Sequence, residues 1–292
     1  GKDLQEDTLF PVTYQEEDMQ MRVAIVTLPL HTNYGGLLQA FALKSALESM
    51  GHEATVLDLK DKMPVPKGVK APFKYMGRIV RRLVKGSKGP EVFKELRYRR
   101  ELPVLSARTS VFVDRYIAPR MIGAYKDVKE GEFDAFFVGS DQVWRPLYFG
   151  KIEDAFLGFA ETWAVKRVAY AASFGTDQLE YEYMQLEACE KLLEKFDAVS
   201  VREDSAVTMC EEWLDYEGAT HVADPVMLMD TDEINRLAGN AENRPAKGKI
   251  MKYILDPSKE KAAAVEPKSI LWSILSSVTG SIRFFAKIYS NT

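Results

Sequence analysis

The chain has 292 residues, of which 46% are apolar and 28% are charged, and its formal net charge is −4 at neutral pH. This is ordinary composition for a globular protein of one large or two modest domains. The negative balance argues against a general binder of nucleic acid or another polyanion. Cys189 and Cys210 form no CxxC or Cys/His spacing, so neither a zinc site nor a disulfide framework is expected, and both read as small core residues.

The N-terminal part of the chain predicts an acidic extension followed by a βαβ unit. Residues 1–20 show neither the basic start nor the apolar run of a secretory signal. The run RVAIVTL at 22–28 is typical of a buried parallel strand, and residues 37–50 are apolar at helical spacing. Gly51 suits the end of this helix, and ATVLDL at 54–59 predicts the second strand. We expect a right-handed connection between the two strands.

Residues 60–100 interrupt this pattern because they are rich in proline and in basic residues. The composition predicts a loop followed by helices over 73–84 and 92–100 that lie outside the sheet. Two interpretations remain open. The segment is either a solvated insertion that covers one face of the domain, or a basic patch for an anionic glycan, a lipid phosphate or a membrane surface.

Strands and helices alternate again from Ala135 onwards. The predicted strands end in small and polar residues before the next helix begins, and they cover 135–138, 167–171, 198–201 and 221–223. In an open α/β sheet the ligand crevice lies beyond the carboxyl ends of the strands. The sequence therefore predicts an α/β fold with a Rossmann-like parallel sheet flanked by helices, over residues 21–239, and a site at one edge of that sheet.

The pattern weakens after residue 230. A short helix is expected at 233–239, and 240–249 reads as a linker. A strand is predicted at 250–255 and an amphipathic helix at 270–288, which either packs on the domain or lies at a membrane surface. We interpret residues 240–292 as the remnant of a second domain.

Five motifs between residues 32 and 230 carry a resemblance to a known family. In chain order they are TNYGGLLQAFALKSALESMGHEATVLD, FVGSDQVWRP, AYAASFGTD, VSVREDSA and ADPVMLMD. Together they resemble the polysaccharide pyruvyl transferase family. The resemblance implies two facing Rossmann-like domains, as in the GT-B class of glycosyltransferases. Relatives carry a histidine-containing motif in the second domain, whereas no histidine follows residue 230 here, so we expect a truncated or remodelled second domain.

The same resemblance implies a reaction and its partners. The pyruvyl (carboxyethylidene) unit of phosphoenolpyruvate is transferred to two hydroxyls of a sugar in a surface polysaccharide or its lipid-linked precursor, and a cyclic ketal and phosphate are formed. It implies phosphoenolpyruvate as donor, no further cofactor, and a bacterial, cytoplasmic enzyme of cell-envelope synthesis. A peripheral contact with the inner membrane and a homo-oligomer remain open.

An anionic donor needs a positively polarised site. The residues that open the first helix are Asn33, Tyr34, Gly35 and Gly36. Backbone N–H groups at a helix N-terminus bind anions, although this stretch also reads as a tight turn and nothing more. Arg202 follows a strand, where it either pairs with two oxygens of a carboxylate or phosphate, or forms a salt bridge with Glu203 or Asp204.

Proton transfer needs a titratable group near the sugar. His31 stands beside the first turn, and histidine titrates near neutral pH, but a histidine in a loop is also commonly structural. Asp141 is the preferred carboxylate for binding or activating a sugar hydroxyl, with capping of the following helix as the alternative. Trp144 either stacks on a sugar or belongs to the core. Further candidates for substrate binding are Ser140, Gln142, Ser173 and Asp224. No metal site is predicted.

Two other functions remain open from the sequence. One is a nucleotide-sugar glycosyltransferase of the same broad fold. The other is a non-catalytic relative that binds a glycan or a partner protein, which the missing histidine motif and the basic segment favour.

Overall fold

The computed structural model of the protein describes residues 20–60, 70–86 and 91–239. The chain divides into two compact units, residues 1–228 and residues 229–292. In the second unit the described part contains one helix, which overlaps the helix expected at 233–239. The remaining predictions for 240–292, and the acidic extension up to residue 19, lie outside the described residues.

The first unit is built on a parallel sheet of seven strands. They are β1 (Arg22–Val26), β2 (Glu53–Leu59), β3 (Arg120–Ile122), β4 (Ala135–Val138), β5 (Lys166–Ala172), β6 (Ala198–Val201) and β7 (Ala219–His221). Their order is β3-β2-β1-β4-β5-β6-β7, and every neighbouring pair is parallel. The chain therefore builds outward from β1 to β3 and then continues from the other side of β1. This confirms the predicted Rossmann-like α/β fold, with a switch point between β1 and β4.

Six of the α-helices in the described residues lie in the connections between strands, and the seventh follows β7. They are α1 (Tyr34–Ser49), α2 (Lys70–Lys85), α3 (Lys94–Leu105), α4 (Ala107–Phe112), α5 (Tyr183–Leu193), α6 (Asp204–Leu214) and α7 (Thr231–Gly239). A π-helical turn, Val113–Ile117, follows α4. The two helices predicted in the basic segment are confirmed as α2 and α3, outside the sheet. The first helix begins three residues earlier than expected, so Gly35 and Gly36 lie inside it.

The core lies between the sheet and the helices and is rich in aromatic side chains. Trp144, Phe136, Phe156 and Phe174 are all buried there. Both cysteines lie in this core, as the sequence predicted. The strand β3 was not expected, because its three residues are too short to show a period in the sequence. None of the helices in the described ranges has the length and apolar character needed to cross a bilayer.

Candidate functional site

The loops that follow five of the parallel strands carry most of the predicted site residues. Asn33 follows β1, Asp141 follows β4, Ser173 follows β5, Arg202 follows β6 and Asp224 follows β7. Because these strands are parallel neighbours, their carboxyl ends lie at the same edge of the sheet, and the switch point falls between the first two. We call these five residues the rim.

Asn33 and Asp141 join the two sides of the switch point. Asn33 Nδ2 donates a hydrogen bond of 2.9 Å to Asp141 Oδ2, across 108 positions of sequence. Asn33 stands at the N-cap position of α1, but its side chain makes no cap hydrogen bond, and the first turn holds no acidic residue. The positive end of the α1 dipole is therefore not neutralised by α1 itself, and the carboxylate beside it is Asp141.

At one position at the start of α1, a side chain would displace Asp141. A Cβ atom built on Gly36 would lie 2.7 Å from Asp141 Oδ2 and 3.1 Å from Asn33 Nδ2. A Cβ on Gly35 would meet only Asn33 Oδ1, at an ordinary contact distance of 3.5 Å. Tyr34 opens the helix and is half-buried. Gly36 is therefore required for the close approach of Asp141, whereas Gly35 is not.

Asp141 is a buried carboxylate, with 6% of its surface exposed. Burial raises its pKa above the ordinary value of 3.8. A hydrogen bond of 2.8 Å from the Gln142 backbone N–H and the charge of Arg202 act in the opposite direction, and the nearby carboxylates Asp224 and Glu203 raise the pKa further. Asp141 is therefore a stronger base than an ordinary aspartate, and it responds to the charges of the rim.

Arg202 lies at the centre of a hydrogen-bonded network. Its Nη2 donates to Ser173 Oγ at 3.2 Å, and its Nε donates to Glu203 Oε1 at 3.0 Å. Ser173 Oγ donates to the same Glu203 oxygen at 2.7 Å. Arg202 Nη1 lies 3.6 Å from Asp224 Oδ2, which is an ion-pair distance rather than a hydrogen bond. The salt bridge to Glu203 that the sequence offered as an alternative is thus present, and one face of the guanidinium is less firmly bound.

Two buried polar atoms of this edge have no hydrogen-bond partner within the described part of the chain. They are Ser140 Oγ and Glu203 Oε2. Buried polar atoms in native proteins nearly always find a partner, in protein, ligand or water. Both atoms belong to loops at the carboxyl edge, so this edge offers polar groups that a ligand can satisfy.

Gln142 and Trp144 lie close to the rim but face the protein. Gln142 Oε1 accepts a hydrogen bond of 3.3 Å from Arg145 Nη1, and its amide fills the space where a side chain on Gly175 would stand. Trp144 is completely buried, stacks on Phe156 with ring centroids 5.0 Å apart, and donates its indole N–H to Ala155 O at 3.3 Å. The structure therefore places Trp144 in the core and not in a position to stack on a sugar.

His31 stands in the loop after β1, two residues before Asn33. It lines a cavity of about 370 Å³ beside β2, β3, α3 and α4, and none of the rim residues lines that cavity. Its Nδ1 lies 2.9 Å from Thr32 Oγ1, its backbone oxygen accepts a hydrogen bond from Thr109, and its ring meets Tyr98 edge to face. Asp141, which was expected to share proton transfer with His31, does not line this cavity.

Two residues of the network were not singled out in the sequence. The sequence offered Glu203 only as an alternative salt-bridge partner of Arg202, whereas it binds both Ser173 and Arg202. Gln39, buried on α1, hydrogen-bonds to Asp224 Oδ2. A polar residue inside the apolar run LLQAFAL was the available signal for Gln39. Within the described residues, no group of three or more His, Cys, Asp or Glu side chains is arranged to hold a metal ion.

One protein family matches the part of the chain that carries all five rim residues. The family model for polysaccharide pyruvyl transferase matches residues 33–286 of the chain. The chain belongs to the polysaccharide pyruvyl transferase family. Neither a curated protein nor a solved structure matches it.

Membership of the polysaccharide pyruvyl transferase family implies a transferase that acts on a polysaccharide. The matched range begins at Asn33, the residue that binds Asp141, and it includes every residue of the rim. The family resemblance read from the five motifs is thereby confirmed. We therefore interpret the rim residues as parts of a transferase site.

Proposed function

We propose that the chain transfers the pyruvyl group of phosphoenolpyruvate to two hydroxyls of a sugar, and that Asp141 activates an attacking hydroxyl. The proposal rests above all on one observation. A buried carboxylate with a raised pKa stands at the carboxyl edge of the sheet, within hydrogen-bond distance of Asn33 at the start of α1.

The reaction requires two additions to one carbon atom. A first sugar hydroxyl forms a C–O bond to C2 of phosphoenolpyruvate and loses its proton, while C3 takes up one proton and becomes a methyl group. A second hydroxyl then forms another C–O bond to C2 and loses its proton, the bond between C2 and the phosphate oxygen breaks, and phosphate leaves with one proton, so that the two protons lost equal the two taken up. Each hydroxyl loses its proton as it attacks, so a base near the sugar accelerates both steps. No atom is oxidised or reduced, and we propose no cofactor beyond the donor.

Asp141 suits the base because its environment opposes its ionisation. Desolvation and the carboxylates of Asp224 and Glu203 raise its pKa, so that its ionised form takes up a proton more readily than an exposed aspartate does. Asn33 holds one carboxylate oxygen, and the Gln142 backbone N–H holds the other. The side chain is thus fixed in position before a sugar arrives, which is what an efficient base needs.

The donor is an anion, and two features of the rim attract it. The N-terminus of α1 carries the positive end of the helix dipole, with no acidic residue in its first turn. Among the described residues, Arg202 Nη1 has the long 3.6 Å contact with Asp224 as its ion pair, which a carboxylate or phosphate oxygen of the donor can replace. We propose that Arg202 binds the donor, that the polysaccharide or its precursor is the acceptor, and that the reaction takes place in the cytoplasm.

A turnover assay tests this function. The protein is incubated with phosphoenolpyruvate and with galactosides or N-acetylmannosamine, and both phosphate release and an acid-labile ketal are measured, the latter by mass spectrometry. We expect Asp141→Asn to lower turnover by about 100-fold or more, because loss of a general base costs that much. Arg202→Gln should chiefly weaken phosphoenolpyruvate binding, measured by calorimetry.

The chain offers matched controls for both variants. Asp134 and Arg22 form an ion pair of 2.6 Å at the opposite edge of the same strands. Asp134→Asn and Arg22→Gln should therefore leave turnover within about twofold, since surface pairs contribute little. The absence of ketal with every acceptor, together with the absence of phosphoenolpyruvate binding, would refute the proposal. A rise in melting temperature with a nucleoside diphosphate would favour a glycosyltransferase instead.

A further inference from the structure

Helix α2 separates apolar and basic side chains onto opposite sides. At 3.6 residues per turn, one side carries Phe73, Met76, Ile79, Val80, Leu83 and Val84. The other side carries Lys74, Arg78, Arg81 and Arg82, and α2 contains no acidic residue. Such a helix normally packs its apolar side onto the protein core.

Helix α2 is attached to the protein through its polar side. Arg78 forms a bidentate ion pair with Glu95 on α3, with Nη1 2.7 Å from Oε2 and Nη2 2.6 Å from Oε1. Only 12% and 5% of these two side chains are exposed, and the guanidinium holds the pKa of Glu95 down at about 2. Arg78 Nη1 also donates to Val92 O at 3.0 Å, and the Tyr75 ring packs on Phe93 with centroids 5.2 Å apart.

The apolar side of α2 consequently faces outward. Phe73 is 75% exposed, and Leu83 and Val84 are each 80% exposed. Met76 and Val80, on the same side, are more than half exposed. A contiguous row of large apolar side chains in water is unfavourable, and it marks a surface that binds an apolar partner. The ion pair with Glu95 holds α2 in this orientation, so the exposure follows from how the helix is anchored.

We propose that α2 binds the surface of a membrane that contains anionic lipids. The apolar side would lie in the boundary between headgroups and acyl chains, and the basic residues would meet the lipid phosphates. Lys74, Arg81 and Arg82 are exposed on the basic side. Arg81 and Arg82 stand at its two edges next to the apolar side, where long basic side chains can extend towards headgroups. Because the whole chain has a formal net charge of −4, the basic helix would also determine which face of the protein turns towards an anionic membrane.

The charge of α2 favours a membrane over a second copy of the chain. Two copies that covered each other's apolar sides would bring together two helices whose charged residues are all basic, and like charges at short distance repel. A negatively charged lipid surface would both cover the apolar side and pair with the basic residues. This inference does not depend on the proposed reaction, although a membrane location suits an acceptor that is linked to a lipid.

Vesicle co-sedimentation of the full chain tests the proposal. The protein is mixed with vesicles of phosphatidylcholine alone, or of phosphatidylcholine with phosphatidylglycerol, and the bound fraction is measured. We expect binding to the anionic vesicles only. Phe73→Ser with Leu83→Ser should lower the partition coefficient about tenfold or more, since each buried apolar side chain contributes strongly. Arg81→Glu with Arg82→Glu should lower it by a similar factor, because each basic residue near the surface contributes about fivefold.

Control variants are available outside α2. Tyr183 and Met184 on α5 are as exposed as the α2 residues, and Lys151 and Lys166 are exposed basic residues elsewhere. Tyr183→Ser with Met184→Ser, and Lys151→Glu with Lys166→Glu, should bind vesicles like the unaltered chain. Circular dichroism of all variants verifies that the fold is retained.

Three results would overturn the proposal. One is no binding to anionic vesicles, or equal binding to vesicles of phosphatidylcholine alone. Another is equal binding by the α2 variants and the control variants. The third is a dimer in sedimentation velocity that becomes a monomer with Phe73→Ser and Leu83→Ser while no vesicle binding occurs, which would assign this side of α2 to contacts between copies of the chain.

Discussion

Burial of Asp141 makes its carboxylate costly to ionise in the folded protein, and the same burial makes that carboxylate a stronger base. Burial raises its pKa, so the folded protein ionises this carboxyl less readily than the unfolded chain does. The contribution of Asp141 to stability is therefore fully present below its unfolded pKa, near 3.8, and it is lost as the pH rises through the higher pKa of the folded state. Buried carboxyls with a raised pKa are concentrated at functional sites.

Replacement of Asp141 by asparagine should separate stability from activity. Because the amide does not ionise, the melting temperature of Asp141→Asn relative to the unaltered protein should be higher at pH about 7 than at pH about 4. Asn33 can turn its amide to keep a hydrogen bond with the new side chain. Thermal unfolding of both proteins at the two pH values provides the measurement, with Asp134→Asn as the control. A difference that shrinks as the pH rises would contradict the assigned desolvation.

In the helix α1, the first turn contains two glycines, and only one of them faces a group that a side chain would displace. Both Gly35 and Gly36 lie in its first turn, and helix propensity alone would favour alanine at either position. They differ in what a Cβ atom would meet. Gly36 faces the carboxylate of Asp141 and Gly35 does not.

The two glycines give a matched pair of variants. Gly36→Ala should displace Asp141 from Asn33 and lower turnover about tenfold or more, because small displacements of a catalytic group have large effects on rate. Gly35→Ala should retain turnover and gain up to about 1 kcal/mol of stability from helix propensity. Ketal formation and the free energy of unfolding in denaturant are measured for both variants. Equal losses of turnover would show that the contact between Gly36 and Asp141 has no role in the reaction.

For the whole molecule, the core isolates both cysteines from solvent. Cys189 and Cys210 are completely buried, and burial raises both thiol pKa values, that of Cys210 to about 12. At pH 8 the thiolate fraction of such a group is about one in ten thousand. The two thiols therefore report on opening of the core and on nothing at the surface.

Thiol labelling should follow unfolding. We expect neither cysteine of the folded protein to react with Ellman's reagent during the time in which both react in concentrated guanidinium chloride. As denaturant is added, labelling should increase over the same range as the loss of circular dichroism. Rapid labelling of either thiol in the native protein would mean that the core packing described by the structure is wrong at that position.

Much of the fold was predictable because its signals are local. The apolar run of β1, the helical spacing of α1 and the cap at Gly51 each depend on residues within one turn or one strand. The edge strand β3 gave no such signal, since three residues show no period. The apolar spacing of α1 shows only from residue 37, because the two glycines before it carry no side chain, whereas the contact with Asp141 favours glycine inside the helix.

The sequence by itself determined the α/β class, the family, and the fact that Asn33, Asp141, Ser173, Arg202 and Asp224 follow strands. Only the tertiary structure decided which of these side chains meet. It placed His31 at a cavity that no rim residue lines and Trp144 in the core, added Glu203 and Gln39 to the network, and turned the apolar side of α2 outward. The physical reason is that these contacts join residues far apart in the chain, so strand order and loop packing set their distances, and no local pattern encodes either.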